Sequence, residues 1–186
     1  MEKDIEGLRA TCEILWRDFN NCKAHFPYVP LEAKGAKRVR TAPFYIAQGF
    51  DVEFMFNKGI SEEGIKRINQ IGHWLNQNFV IRLCAVLESF GVIAGSTQTT
   101  VHRRIDFGLE GAEHVNIVRR LRNCFAHSSG RYDPKDPEHQ KTLKLISHTL
   151  GIPVDGLTDW PISIDTVLKP LYDGCIKYAM QKEKSA

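Results

Sequence analysis

Between Phe79 and Ile93 the chain is apolar on nearly every face, and Arg82 and Glu88 are what interrupt it. A segment of that kind belongs either in a bilayer or at the centre of a helical fold. The two charges, and the lack of any apolar run near eighteen residues, exclude the bilayer. The segment is therefore expected to be the central helix of a bundle. Its start signal lies upstream, where Ser61 follows Ile60 and precedes Glu62 and Glu63. The hydroxyl can cap free amides, the acids meet the positive helix end, and Ile60 can staple onto Ile65. The helix is expected to bend or break near Gly72 and to end by Gly91 or Gly95.

The remaining chain reads the same way. Ile5, Leu8, Cys12, Leu15, Phe19, Cys22 and Phe26 recur at steps of three and four, which predicts an amphipathic helix over 4–26 with this stripe inward. Pro27–Pro43 reads as a connection. Val52 to Phe56 alternates like a strand, so a short β-hairpin is expected near residues 44–56. Ser96–Gly108 reads as a loop and Gly111–Ser128 as a helix closed by Gly130. The Asp133–Pro137 breaker then precedes a helix over Glu138–Leu150. Ser163 is expected to cap a last helix reaching Gln181, kinked or restarted at Pro170. The fold class is all-α, a bundle of about five helices, in one domain over 1–186. Residues 1–60 supply a helix and a basic connection, and 61–183 the core.

At 186 residues and 21.2 kDa, with 42% apolar and 25% charged residues, the composition is globular. Glu2 and Asp4 and the lack of an apolar stretch at the start argue against a signal peptide. The five cysteines have no Cys-x-x-Cys spacing and no histidine at zinc-ligand spacing, so they are expected to be reduced core thiols of a cytoplasmic protein. No metal and no cofactor are implied, and phosphate-loop, zinc-protease, nucleophile-elbow and dinucleotide motifs are absent. The net charge is only +3, but two segments are basic without an intervening acid: Lys34, Lys37, Arg38 and Arg40, and then Arg119, Arg120, Arg122 and Arg131. Such clusters suit contact with phosphates, although solvated basic faces are common.

On a helix over 115–127, Asn116, Arg120, Asn123 and His127 form one polar stripe bordered by Arg119, while Val118, Leu121 and Phe125 face inward. Arg122 falls on the edge of the apolar line and needs a partner. Glu88, among apolar neighbours, has the complementary need, so the two are expected to approach each other. A buried ion pair without chemistry would satisfy the same spacing. The other histidines, His139 among them, have no comparable company.

Arg122-Asn123-Cys124-Phe125-Ala126-His127 resembles the R-x4-6-H signature of the HEPN superfamily, with the polar residue that many members carry after the arginine. Glu88 in the preceding apolar helix and the last helix opened by Pro161–Asp165 are similar to that family too. The resemblance covers about residues 74–180. It implies a dimerising helical bundle and, in many members, a metal-independent endoribonuclease of toxin–antitoxin, phage-defence or RNA-processing systems. The implied catalytic residues are Arg122, His127 and Asn123, supported by Glu88, with Arg119, Arg120 and Arg131 contacting RNA. The implied partners are RNA, a second copy of the chain and an antitoxin or other protein, with no membrane. An imidazole can carry a proton near neutral pH and a guanidinium fork matches phosphoryl oxygens. One imidazole does not comfortably serve as acid and base together, which ties activity to a two-fold homodimer. The alternative is a non-catalytic dimerising module that holds RNA or a protein. Family members modified by a partner nucleotidyltransferase carry a tyrosine two residues after the histidine. Here Ser129 stands there, so that pairing is not implied.

Overall fold

The computed structural model describes residues 5–40, 46, 49, 51–94, 105–127 and 130–184. Within these, five α-helices and a two-stranded antiparallel sheet form: α1 (Ile5–Ala24), β1 (Arg38–Arg40), β2 (Glu53–Met55), α2 (Glu62–Ser89), α3 (Ala112–His127), α4 (Pro137–Leu150) and α5 (Lys169–Lys184). Most of the expected Ser96–Gly108 loop, together with Ser128 and Ser129, lies outside the described residues. No helix among the described residues is long and apolar enough to cross a membrane.

Two compact units are present, Ile14–Asn76 and Met1–Glu13 with Gln77–Ala186, and α1 and α2 each contribute to both. In the first, the strands pair Arg38 with Met55, Val39 with Phe54 and Arg40 with Glu53. The hairpin's first strand thus comes from the basic connection, upstream of the expected 44–56. Alternation turns Val39 toward the Val29, Ile60 and Ile65 cluster and leaves Arg38 and Arg40 exposed. Ser61 Oγ accepts from Gly64 N at 3.0 Å, and Ile60 shares its cluster with Ile65, as the capping signal requires.

Helix α2 runs unbroken through Gly72. A Cβ there would sit 2.8 Å from Lys23 Nζ and 3.1 Å from the Phe26 carbonyl oxygen, so the glycine serves close approach rather than a bend. The α1 stripe also turns. Leu8, Cys12, Leu15 and Phe19 are buried, but Cys22 is exposed and Lys23 and Ala24 take the inward positions. A helix advances about 100° per residue, so a strict three-four stripe drifts off its face over six turns.

In the second unit α3 packs against both α4 and α5. Val115, Val118, Leu121 and Phe125 are buried as its periodicity demands, with Ile117 and Cys124. The start of α3 is pinned to α5. Glu110 N donates to Gln181 Oε1 at 2.8 Å, Asp106 N to Tyr178 Oη at 2.9 Å, and a Cβ on Gly174 would fall 2.2 Å from the His114 ring. Ahead of α5 the chain forms a π turn over Ile164–Leu168, closed by Leu168 N donating to the Ser163 carbonyl at 2.9 Å. The α-helix follows without a break at Lys169, whose N–H still bonds to the Ile164 carbonyl, so the kink or restart expected at Pro170 takes the form of a change from π to α winding just before it. Ser163 makes no side-chain cap to the backbone and pairs instead with the Thr166 hydroxyl.

Candidate functional site

The outer face of α3 and the N-terminal turns of α4 enclose a cleft of about 410 Å3. One wall is the polar stripe of α3, namely Asn116, Arg119, Arg120, Asn123 and His127, with Cys124 beneath. The other wall is Asp136, Glu138, His139 and Thr142. The walls face each other because the Asp133–Asp136 turn folds α4 back onto α3. Asp136 Oδ1 accepts from Glu138 N at 2.8 Å and His139 N at 3.4 Å, and Pro137 occupies the first helical position.

Of the expected site residues, Arg119, Arg120, Asn123 and His127 line this cleft. Arg122, Arg131 and Glu88 are not among its lining. Arg122 Nη1 donates to Asn123 Oδ1 at 3.0 Å, so it reaches the cleft only through the asparagine beside it. Glu88 is half-buried, and its carboxylate accepts from the Cys84 thiol at 3.8 Å. Among the described residues no ion pair joins Glu88 to Arg122. Both charges act on Cys84, whose thiol is pushed up to about 12 by burial first and by Glu88 next, with Arg122 and Arg119 opposing. The carboxylate stays hydrated enough on its half-exposed face not to require the arginine as a direct partner.

The second wall escaped the sequence reading. His139 is buried at 2% exposure, its Nδ1 accepts from Asp133 N at 3.0 Å, and its Nε2 lies 3.7 Å from Asp136 Oδ2. Accepting at Nδ1 places the proton of the neutral ring on Nε2, the nitrogen that faces the carboxylate. Tyr132 stacks on the ring and Trp160 meets it edge-on. His139 therefore does have company, and the sign of it was Asp136 three residues earlier at a helix start. Cys124 has its thiol pushed up by burial, with a Thr142 hydrogen bond partly offsetting the effect.

A further residue without a sequence signal is Gln77. Its Nε2 donates to the Gly130 carbonyl at 2.7 Å and holds the chain three residues beyond His127. Gly130 has φ +74°, and a Cβ on it would fall 2.2 Å from Gln77 Oε1, so this contact needs glycine twice over.

The basic clusters are more neutral in space than in sequence. Arg120 pairs with Glu138 at 3.2 Å and Lys34 with Glu62 at 3.5 Å, while Arg40 makes a two-pronged pair with Asp51. Arg119 is exposed and has no acid within 4 Å among the described residues. It is the cleft cation most ready to take an outside anion, with Asn123 and His127 beyond it on the same stripe. Among the described residues no group of three or more His, Cys, Asp or Glu is placed to hold a metal ion. No protein-family model, curated protein or solved structure matches this chain.

Proposed function

We propose that the chain is a metal-independent endoribonuclease of the HEPN type, acting as a toxin, phage-defence or RNA-processing effector. The observation that carries this reading is the gathering of His127, Asn123, Arg119 and Arg120 on one wall of an open cleft. In the reaction a base removes the 2′-hydroxyl proton and that oxygen bonds to phosphorus. The P–O5′ bond then breaks and an acid protonates the leaving oxygen, giving a 2′,3′-cyclic phosphate and a 5′-hydroxyl. His127 is the proton carrier, and a second copy of the chain supplies the complementary imidazole. Arg119 contacts the phosphoryl oxygens as charge builds there. Arg122, which donates to Asn123, is a positioning residue.

The second reading, a non-catalytic module that holds RNA, is favoured by Arg122 being turned to Asn123 and by Glu138 on Arg120. Incubation of end-labelled single-stranded RNA with the protein in EDTA separates the two. The endonuclease reading expects cyclic-phosphate ends, a rate that rises with the square of protein concentration at low concentration, and a loss of about 100-fold or more in His127→Ala. Arg122→Ala is expected to lower the rate with RNA affinity unchanged, and Arg119→Ala to lower both. Intact RNA under these conditions, with binding retained, leaves the second reading.

A further inference from the structure

Glu138 occupies an unusual place in the cleft. Its two carboxylate oxygens are divided between two cations: Oε2 lies 3.2 Å from Arg120 Nη1 and Oε1 lies 2.7 Å from Lys141 Nζ. Glu138 and Lys141 stand three residues apart on α4, with Lys141 at the rim outside the cleft lining, while Arg120 reaches across from α3, so the carboxylate joins the two walls through Arg120. A phosphodiester presents the same feature, two anionic oxygens on one centre, each able to take a separate donor. The carboxyl is held below its ordinary range, first by the Lys141 hydrogen bond and charge and then by Arg120. It is 61% exposed, so an incoming anion can reach the cations by swinging the side chain outward. Exposed pairs of this kind contribute little to stability, so displacing Glu138 costs the fold little.

We infer that Glu138 stands in for a phosphate: Arg120 and Lys141 form a second phosphate subsite, one that takes a flanking phosphodiester of the RNA strand next to the position at Arg119 and His127. The inference rests on the RNA reading above for its ligand, and on the divided carboxylate for its geometry. It gives Glu138 a definite effect, since the side chain competes with every strand that enters. A strand able to place phosphates at both positions displaces it, whereas a ligand with a single phosphate has to bind beside it.

The test uses the full chain and an uncleavable 2′-O-methyl oligoribonucleotide of mixed sequence, its binding followed by fluorescence anisotropy across a salt series. Glu138→Gln keeps the side chain's shape and removes its charge. It is expected to tighten binding about 5- to 20-fold and to steepen the dependence of log Kd on log salt by about 0.7, the increment for one further single-strand phosphate. Adding Arg120→Ala to Glu138→Gln is expected to cancel most of the gain. Glu138→Ala provides a second variant, and Glu6→Gln on α1 makes the same charge change away from the cleft. If Glu138→Gln matches Glu6→Gln in both affinity and slope, the subsite is overturned, and an Arg119→Ala loss in the same series leaves the RNA reading standing. A gain for inorganic pyrophosphate in Glu138→Gln but not Glu6→Gln, in a protein that neither cuts nor binds RNA, upholds the subsite and overturns its RNA ligand. Binding of neither pyrophosphate nor RNA by any variant overturns both.

Discussion

Lys23 illustrates how one side chain writes a pH signature into the whole chain. It is 7% exposed, its Nζ donates to the Gly72 carbonyl at 3.0 Å, and burial pulls its pKa from 10.5 down to about 8. Between those values the unfolded chain holds a proton that the folded chain lacks, so this residue makes stability rise with pH, by at most about 1.4 kcal/mol per unit. The buried thiols act in the opposite sense. Cys12 is raised from 9.0 to about 11 and Cys84 to about 12, so above pH 9 the unfolded chain ionises first and stability falls as pH rises. The lysine is therefore isolated by difference. Urea denaturation of wild type and Lys23→Met at pH 7 and pH 9 is expected to show wild type gaining about 1 kcal/mol on the variant over that span. At this scale the sequence reveals what is set by neighbours along the chain. The inward faces of Leu8, Cys12, Val118 and Phe125 follow from periodicity. Partners that meet across the fold, such as Glu138 for Arg120 or Asp51 for Arg40, do not. An acid-free run of basic residues is acid-free only along the chain.

At the scale of elements, starts and stops are the readable part because their chemistry is local. Ser61 and Asp136 show this: each offers a side-chain oxygen to amides two or three residues on. Removing the second is expected to act on fold and cleft together. Asp136→Ala should cost about 1 kcal/mol by denaturant titration, with Asp136→Asn recovering most of it, because the asparagine oxygen still accepts from the helix amides. What could not be read is which elements pair. Residues 38–40 form a strand only because 53–55 lie beside them, and three residues carry too little alternation to announce themselves. The cleft has the same origin. The stripe on α3 was legible from Asn116, Arg120, Asn123 and His127, whereas the wall facing it depends on where the Asp133–Asp136 turn sends α4.

For the molecule as a whole, the two compact units do not divide at a linker. The beginning of α1 belongs with residues from Gln77 onward, and Leu8 at 2% and Cys12 at 0% exposure are part of that core. Ile5 and Leu8 line a small apolar recess with Phe90, Val92 and Ala179. A fragment over 61–183 is thus expected to lose its cooperative thermal transition even though it retains the whole Arg122–His127 motif. In the full chain, Leu8→Ala should cost about 2–5 kcal/mol by denaturant titration. The seating of the His114 ring on Gly174 reaches further than its size suggests. It works as a one-way stop: any roll or slide of α3 that presses this face toward α5 drives an imidazole carbon into the α5 backbone. With Asp106 N on Tyr178 Oη and Glu110 N on Gln181 Oε1 beside it, the stop anchors the entry to α3, and a designer who wishes to re-aim Arg119 or His127 has to begin at that end.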